Sequence, residues 1–395
     1  MDHNAGNPKK KRGIVIAAIC ITLVICFLLV EGALRVHFAR NVGTRVLAYG
    51  TPWYRNEMEM QREKDRKTYQ RKYYKDRTVE LHEKPQENYT KFFPNEVKLD
   101  QDPDTGGQIR VEINSRGFRG PEFDVEKGGV ARVLTLGASS TFGYYNKDET
   151  TYPHLLQQYL NAHCDSVQFE VINFAIPHAG AAEIYAMFEA EGLELSPDFL
   201  TLYSGGNNAV PSQYIAEQGS ILDAVGKAIK KRVLLVSYLA YIYDRKLRSR
   251  GMNFDAERAQ LQSDMFLESV KKLAQLANER EIELIVASQQ LKSLTVPREQ
   301  MRGLTYAAEQ AMVMAQVKEG DVLPMRAITF LNHAYLMEDL LSWLQATERG
   351  YVDIRGALDQ HRDYLFTHVH LNPNANEVIA REFGQEILIR GCHDD

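Results

Sequence analysis

The 395-residue chain holds only four cysteines, with no CxxC pair and no clustered Cys/His pattern, so a structural zinc site is not expected. Cys20 and Cys26 lie in an apolar run, which leaves Cys164 and Cys392 as the pair open to the remainder of the chain. They form a disulfide if that part faces an oxidising compartment, or stay as two free thiols if it does not. A basic excess is missing too. With 47 Lys and Arg against 52 Asp and Glu the net charge is −5, which argues against a nucleic-acid surface. There is no internal repeat and no low-complexity tract. A hydrophobic share of 44% with 25% charged residues is ordinary globular composition.

Charge is also absent from Gly13 to Val30, where Thr22 is the one polar side chain. The run follows the basic cluster Lys9-Lys-Lys-Arg12 and, with its flanks, is long enough to cross a bilayer. A cleaved signal peptide has the same basic start and apolar core. A retained anchor is favoured, because the segment is long and Glu31-Gly-Ala-Leu-Arg-Val-His continues amphipathically without a small-x-small cleavage site. The expected organisation is a cytoplasmic basic tail over 1–12 and a transmembrane anchor over 13–35. A charged membrane-proximal stalk follows over 36–104, then one folded domain over 105–395. Positive charge before the span keeps the tail inside, so the domain is exported; in a bacterium it faces the periplasm from the inner membrane.

From Ile109 the pattern is that of a folded domain. Ile113 to Pro121 reads as a strand running into a turn, and Arg132–Leu136, Phe169–Ala175, Asp198–Tyr203 and Glu283–Ala287 read as buried strands. Gly350–Ile354 adds a short fifth. Between them lie helical patterns over Tyr152–Leu160, Glu183–Leu193, Ala256–Arg280, Leu336–Ala346 and Asn376–Ile389, with a helical insertion over 215–250. Such alternation means an α/β domain with a parallel sheet and helices on both faces.

Chemistry-bearing residues gather just beyond strand ends, where open α/β sheets place their ligands. Gly137-Ala-Ser139-Ser-Thr-Phe-Gly143 follows the first core strand. It has neither GxGxxG nor a Gly-Lys-Ser/Thr ending, so it is no phosphate cradle. It is no GxSxG elbow either, because Thr141 stands at the second glycine. Ser139 is thus a candidate nucleophile in need of a base. Asn173-Phe-Ala-Ile-Pro-His-Ala-Gly180 follows the second strand, and Gly205-Gly-Asn207-Asn208 follows the third. An asparagine amide there suits a developing oxyanion. Phe366-Thr-His-Val-His370-Leu-Asn-Pro opens onto the last helix and offers His370 as base. His368 and His370 at i and i+2 also suit a metal, but no acidic or cysteine partner sits at ligand spacing.

These four pieces, in this order, resemble the blocks of the SGNH (GDSL-type) hydrolase superfamily. The lead-in Asn114-Ser-Arg-Gly-Phe-Arg-Gly-Pro is similar to that of membrane-anchored bacterial members. The resemblance implies a flavodoxin-like three-layer α/β/α fold behind an N-terminal transmembrane helix. It implies Ser139 as nucleophile, His370 as general base, and Asn207 with backbone amides as the oxyanion hole, with no cofactor and no metal. Two positions depart from the family pattern. Thr367 stands three residues before the histidine, where an aspartate usually orients the ring; Asp363 is the nearest upstream carboxylate, and a backbone carbonyl is the alternative. His178 occupies the usual position of the second block's glycine, so Gly180 or His178 is the backbone donor. The expected function is a membrane-anchored extracytoplasmic esterase acting on O-acyl groups of envelope glycans or lipids. The alternatives are an O-acyltransferase using the same site, or an inactive domain serving as an envelope binding or assembly module. The partners are the acylated substrate and the membrane, with no nucleic acid.

Overall fold

The computed structural model describes residues 8–42, 92, 94–95, 97–211, 235, 251–347 and 349–392. The chain divides into two compact units, residues 1–80 with 215–248 and residues 81–214 with 249–395.

The first unit contains α1 (Pro8–Val42), a helix of 35 residues. Within it Ala17–His37 has a mean hydropathy of 2.5 over its most apolar window, long and apolar enough to cross a bilayer. Its acid does not stand alone. Glu31 accepts from Arg35 Nε at 2.8 Å and from the N–H of Leu235 at 2.7 Å. Most of the stretch read as stalk, and all of the 215–250 insertion except Leu235, lie outside the described residues.

The second unit opens with an antiparallel pair, β1 (Val97–Gln101) and β2 (Gln108–Glu112). β1 falls inside the stretch read as stalk. Its five residues, VKLDQ, carry too little apolar character to register as a strand. The lead-in then turns on Asn114, whose Oδ1 accepts the N–H groups of Arg116 and Phe118, both at 3.0 Å.

The core sheet follows: β3 (Ala131–Gly137), β4 (Phe169–Ala175), β5 (Phe199–Tyr203), β6 (Glu283–Ala287) and β7 (Gly350–Val352). All pairs are parallel and the spatial order is β4-β3-β5-β6-β7. This is the flavodoxin-like doubly wound order, and its switch point lies where β3 meets β5. Side chains alternate between faces. Leu134, Leu136, Ile172, Phe174, Leu200, Leu202, Leu284 and Val286 pack on one side. Against them lie α4 (Ala181–Met187), α5 (Ala256–Glu279) and α7 (Met325–Thr347). Val133, Phe169, Phe199, Ile285 and Val352 face the other side. There they meet α3 (Tyr152–His163), α8 (Ile354–Leu358) and α9 (Pro373–Gly391). The three-layer α/β/α fold therefore stands, and so do the positions of the five core strands; the strand read from Ile113 lies earlier, as β2 (Gln108–Glu112), with Ile113 making only an isolated bridge to Arg119.

Three helical regions depart from the pattern reading. α6 (Tyr306–Lys318) carries no apolar stripe, because its buried positions are Tyr306, Glu309 and Val313. α7 begins eleven residues before Leu336, at Met325, since Ala327 to Ala334 is buried on every side and has no polar face to set a period. The second helix is shorter than read. α4 stops at Met187 and passes into a π-helical turn over Phe188–Gly192.

Cys164, at the end of α3, is disulfide-bonded to Cys392, which follows α9, so the two helices of that face are joined at their ends.

Candidate active site

Ser139 sits at the carboxyl end of β3, at the switch point of the sheet. Gly137 makes the turn possible by close approach: a Cβ there would meet Thr141 Oγ1 at 1.9 Å and the carbonyl of Tyr203 at 2.7 Å. The chain passes directly into α2 (Ser139–Phe142), a single turn whose four side chains are all buried, ended by Gly143 at φ +89°. Ser139, as first residue of the turn, has an N–H without an intrahelical acceptor.

The turn is held by the lead-in. Arg119, 3% exposed, donates Nη1 to the carbonyls of Phe142 and Gly143 at 3.1 and 2.7 Å. Its Nη2 donates to the carbonyl of Asn146 at 2.6 Å, and its Nε to Asp148 at 2.7 Å. A guanidinium is planar and multidentate, so one buried arginine fixes three carbonyls at once.

His370 comes from the far end of the sequence. Its loop closes on itself where Phe366 N–H donates to the His370 carbonyl at 2.8 Å. α9 then starts with Asn372 as N-cap, accepting from Ala375 N–H at 3.0 Å, and Pro373 in the first turn. Ser140 Oγ donates to the Val369 carbonyl at 2.9 Å, pinning the two loops together. His370 Nε2 then lies 2.9 Å from Ser139 Oγ.

The group on the other ring nitrogen is Thr367. Its Oγ1 lies 2.8 Å from His370 Nδ1 and also accepts the His370 N–H at 3.1 Å. With Ser139 donating to Nε2, the proton of a neutral ring sits on Nδ1 and is donated to Thr367, an assignment made from the hydrogen-bond network. Asp363 does not take this part. Its Oδ2 faces Arg302 Nη2 at 3.2 Å and its backbone carbonyl accepts from Arg298 Nε at 2.8 Å. The threonine is already bound at Nδ1, so Asp363 is not the orienting carboxylate, and neither is a backbone carbonyl.

Without a carboxylate partner the imidazole loses basicity. Burial pushes the His370 pKa down to about 4, with the charges of His178 and Arg326 acting in the same direction and Asp100 against them. Tyr144 and Tyr145 meet the ring edge-on, at centroid distances of 5.5 and 5.1 Å. His368 takes another role, accepting from Arg326 Nη1 at 2.7 Å; burial and that arginine lower its pKa to about 3. Among the described residues no three His, Cys, Asp or Glu side chains group as metal ligands.

On the oxyanion side, the second and third loops are laced together. Asn207 Nδ2 donates to the Ala179 carbonyl at 2.9 Å, and Ala181 N–H donates to Asn208 Oδ1 at 3.0 Å. A primary amide carries two N–H groups, so the bond to Ala179 uses one of the two on Asn207. Gly180 keeps none: its N–H donates to Glu183 Oε2 at 2.7 Å as the N-cap of α4. It is therefore withdrawn as a backbone donor. His178 has φ +68°, in the left-handed region that favours glycine.

Two supporting residues carry no signature of their own. Gln289 Oε1 accepts the Gly206 N–H at 2.6 Å, fixing the third loop. Lys292 donates its N–H to the His368 carbonyl at 3.0 Å and its Nζ to the Leu365 carbonyl at 2.8 Å, clasping the His370 loop. The signal open to sequence reading is the polar run Ser288-Gln-Gln-Leu-Lys-Ser293 immediately past a buried strand, since such a run at the sheet's carboxyl edge is buried here.

No protein-family model and no curated protein matches this chain. Solved structures similar to it include a catalytic mutant of an acetylxylan esterase from Geobacillus stearothermophilus, 15% identical with a TM-score of 0.39, over 66% of this chain and 95% of that one. A member of the lipolytic protein G-D-S-L family from Veillonella parvula is 12% identical with a TM-score of 0.38, over 66% and 100%. A GDSL-like lipase from Bacteroides thetaiotaomicron is 11% identical with a TM-score of 0.35, over 65% and 87%. At identities and TM-scores this low the likenesses carry no argument, and the functional reading rests on the residues themselves.

Proposed function

We propose that the chain is a membrane-anchored serine esterase of SGNH type, with its catalytic domain on the periplasmic side of the inner membrane. The observation that carries the reading is the 2.9 Å contact between His370 Nε2 and Ser139 Oγ, made by residues 231 positions apart at the switch point of the sheet. Ser139 Oγ attacks an ester carbonyl carbon while His370 Nε2 takes its proton. Asn207 and the Ser139 N–H stabilise the tetrahedral oxyanion. The ester C–O bond then breaks, and Nε2–H returns the proton to the leaving alkoxide. Water attacks the acyl-enzyme with His370 again as base, releasing a carboxylic acid and restoring the serine. The imidazolium formed in each half-reaction donates Nδ1–H to a neutral hydroxyl, which stabilises it less than a carboxylate does. Slow turnover follows.

The domain's place beside the envelope favours O-acyl groups on glycans or lipids as substrates. A sugar hydroxyl in place of water makes the same chemistry acyl transfer. Thr367 favours one rival, a non-catalytic envelope-binding module. Labelling with a fluorophosphonate probe separates them: the wild type is expected to label at Ser139. Wild-type labelling no stronger than that of Ser139→Ala refutes the esterase.

A further inference from the structure

Among the described residues, the acid whose charge supports His370 comes from the antiparallel pair β1–β2. β1 turns alternate residues inward, so Lys98 and Asp100 are half-buried while Val97, Leu99 and Gln101 are exposed. Asp100 Oδ2 accepts the N–H of Tyr145 at 3.0 Å, and its Oδ1 accepts the N–H of Gln101 at 2.9 Å. Tyr145 has φ +66°, a left-handed conformation that a tyrosine adopts only where its surroundings hold it. Held so, its ring meets His370 edge-on at 5.1 Å and Phe366 at 6.3 Å. Asp100 therefore anchors the residue that packs against the base.

We propose that Asp100 stands in for the carboxylate absent at position 367, as a positioning residue that holds Tyr145 against His370 and stabilises the imidazolium through space. The inference rests on the esterase reading. The other acids of this region are engaged elsewhere: Asp363 with Arg302, and Asp104 with Arg298. Among the described residues, the groups facing His370 are Asp100 on β1, His178 after β4, Arg326 on α7 and His368 in its own loop, whose ring lies 6.3 Å away, with Tyr144 and Tyr145 packed on the ring. His178 and Arg326 oppose protonation, and Asp100 favours it after the larger effect of burial. A carboxylate that favours the protonated ring favours the species formed in each proton transfer.

The test is the pH profile of p-nitrophenyl acetate turnover by the full chain in detergent, for the wild type, Asp100→Asn and Asp100→Glu. Asn keeps an oxygen for the Tyr145 N–H and removes the charge. Its acid limb is expected about half a pH unit lower and its plateau kcat about threefold lower, with KM unchanged. Glu keeps the charge and holds the wild-type limb. A coincident wild-type and Asn profile overturns the proposal, and so does a Glu limb displaced as far as the Asn limb. Ser139-dependent fluorophosphonate labelling on the same preparations separates the two levels. Wild type that labels while the Asn variant behaves identically removes the role of Asp100 alone; wild type that does not label removes the esterase with it.

Discussion

Thr367 Oγ1 lies 2.8 Å from Nδ1 of His370, in the place where an orienting carboxylate is expected. The hydroxyl fixes the ring plane and receives the Nδ1 proton, but it brings no charge. Replacing it with aspartate puts a carboxylate within hydrogen-bond reach of the ring, which raises the His370 pKa by roughly 1–3 units. Thr367→Asp is therefore expected to move the acid limb of kcat/KM upward and raise the plateau about tenfold. Thr367→Val, which keeps the shape and loses the oxygen, is expected to lower kcat by about 100-fold. Steady-state ester hydrolysis from pH 3.5 to 8 reads both.

The same geometry sets the pH dependence of the wild type. His370 works as a base only when neutral, and burial lowers its pKa to about 4. Activity is expected to stay flat from pH 8 down to about 5 and to halve near pH 4, well below the ordinary histidine value of about 6.5. An acid limb centred near 6.5 would refute the buried, carboxylate-free setting of the ring.

Stability has the opposite reserve. Burial lowers the pKa of His333 to about 3, His368 to about 3 and His370 to about 4. Each binds its proton more readily in the unfolded chain, so the stability it contributes is complete above about pH 6.5 and is lost as pH falls toward the folded value. At pH 5 the loss is about 2 kcal/mol for each histidine. Denaturant midpoints are expected to fall steadily between pH 7 and pH 5. Replacing His333 with Gln is expected to flatten that slope by about a third; an unchanged slope removes His333 from the account.

Asn207 and Gly180 separate in mutagenesis. Asn207→Ala is expected to cost about 10²–10³ in kcat if its second N–H serves the oxyanion. Gly180 spends its N–H on Glu183. Glu183→Ala is therefore expected to cost about 1 kcal/mol of stability, as the loss of a helix cap does, with kcat within about threefold of wild type. Unchanged stability in the Glu183 variant would mean that the cap is not formed, and would return the Gly180 N–H to the oxyanion hole.

The bond between Cys164 and Cys392 closes a loop spanning 228 positions. On the chain-entropy account such a closure stabilises by about 5 kcal/mol, although measured values commonly fall in the range of about 2–4. Cys164→Ser is expected to lower the thermal midpoint by several degrees while leaving the Ser139–His370 chemistry in place, because the bond lies at the far ends of α3 and α9. Unfolding scans with and without reductant measure it; an unchanged midpoint means that the bond is not formed in solution.

The layers of the second unit are legible in local signals alone. Runs such as Val133–Leu136 and Leu200–Tyr203 are apolar but for Thr135 and Thr201, and the amphipathic period of α5 and the proline starts of α3 and α9 bound them, because these signals are local. The sequence also placed Ser139, Asn207 and His370 beyond their strand or before their helix, since small and polar residues at such junctions are equally local. What touches what was decided by the tertiary structure. Thr367 rather than Asp363 meets Nδ1, because the loop folds back on itself between Phe366 and His370 and carries the hydroxyl to the ring. Gly180 is lost as a donor through a cap formed with Glu183, three residues away. Asp100 approaches the site from a hairpin that reads in sequence as charged stalk, and Arg119 reaches three carbonyls more than twenty residues away. The partners of Asp100 and Arg119 are set by the packing of elements distant in the chain, and no period or motif within one segment encodes them.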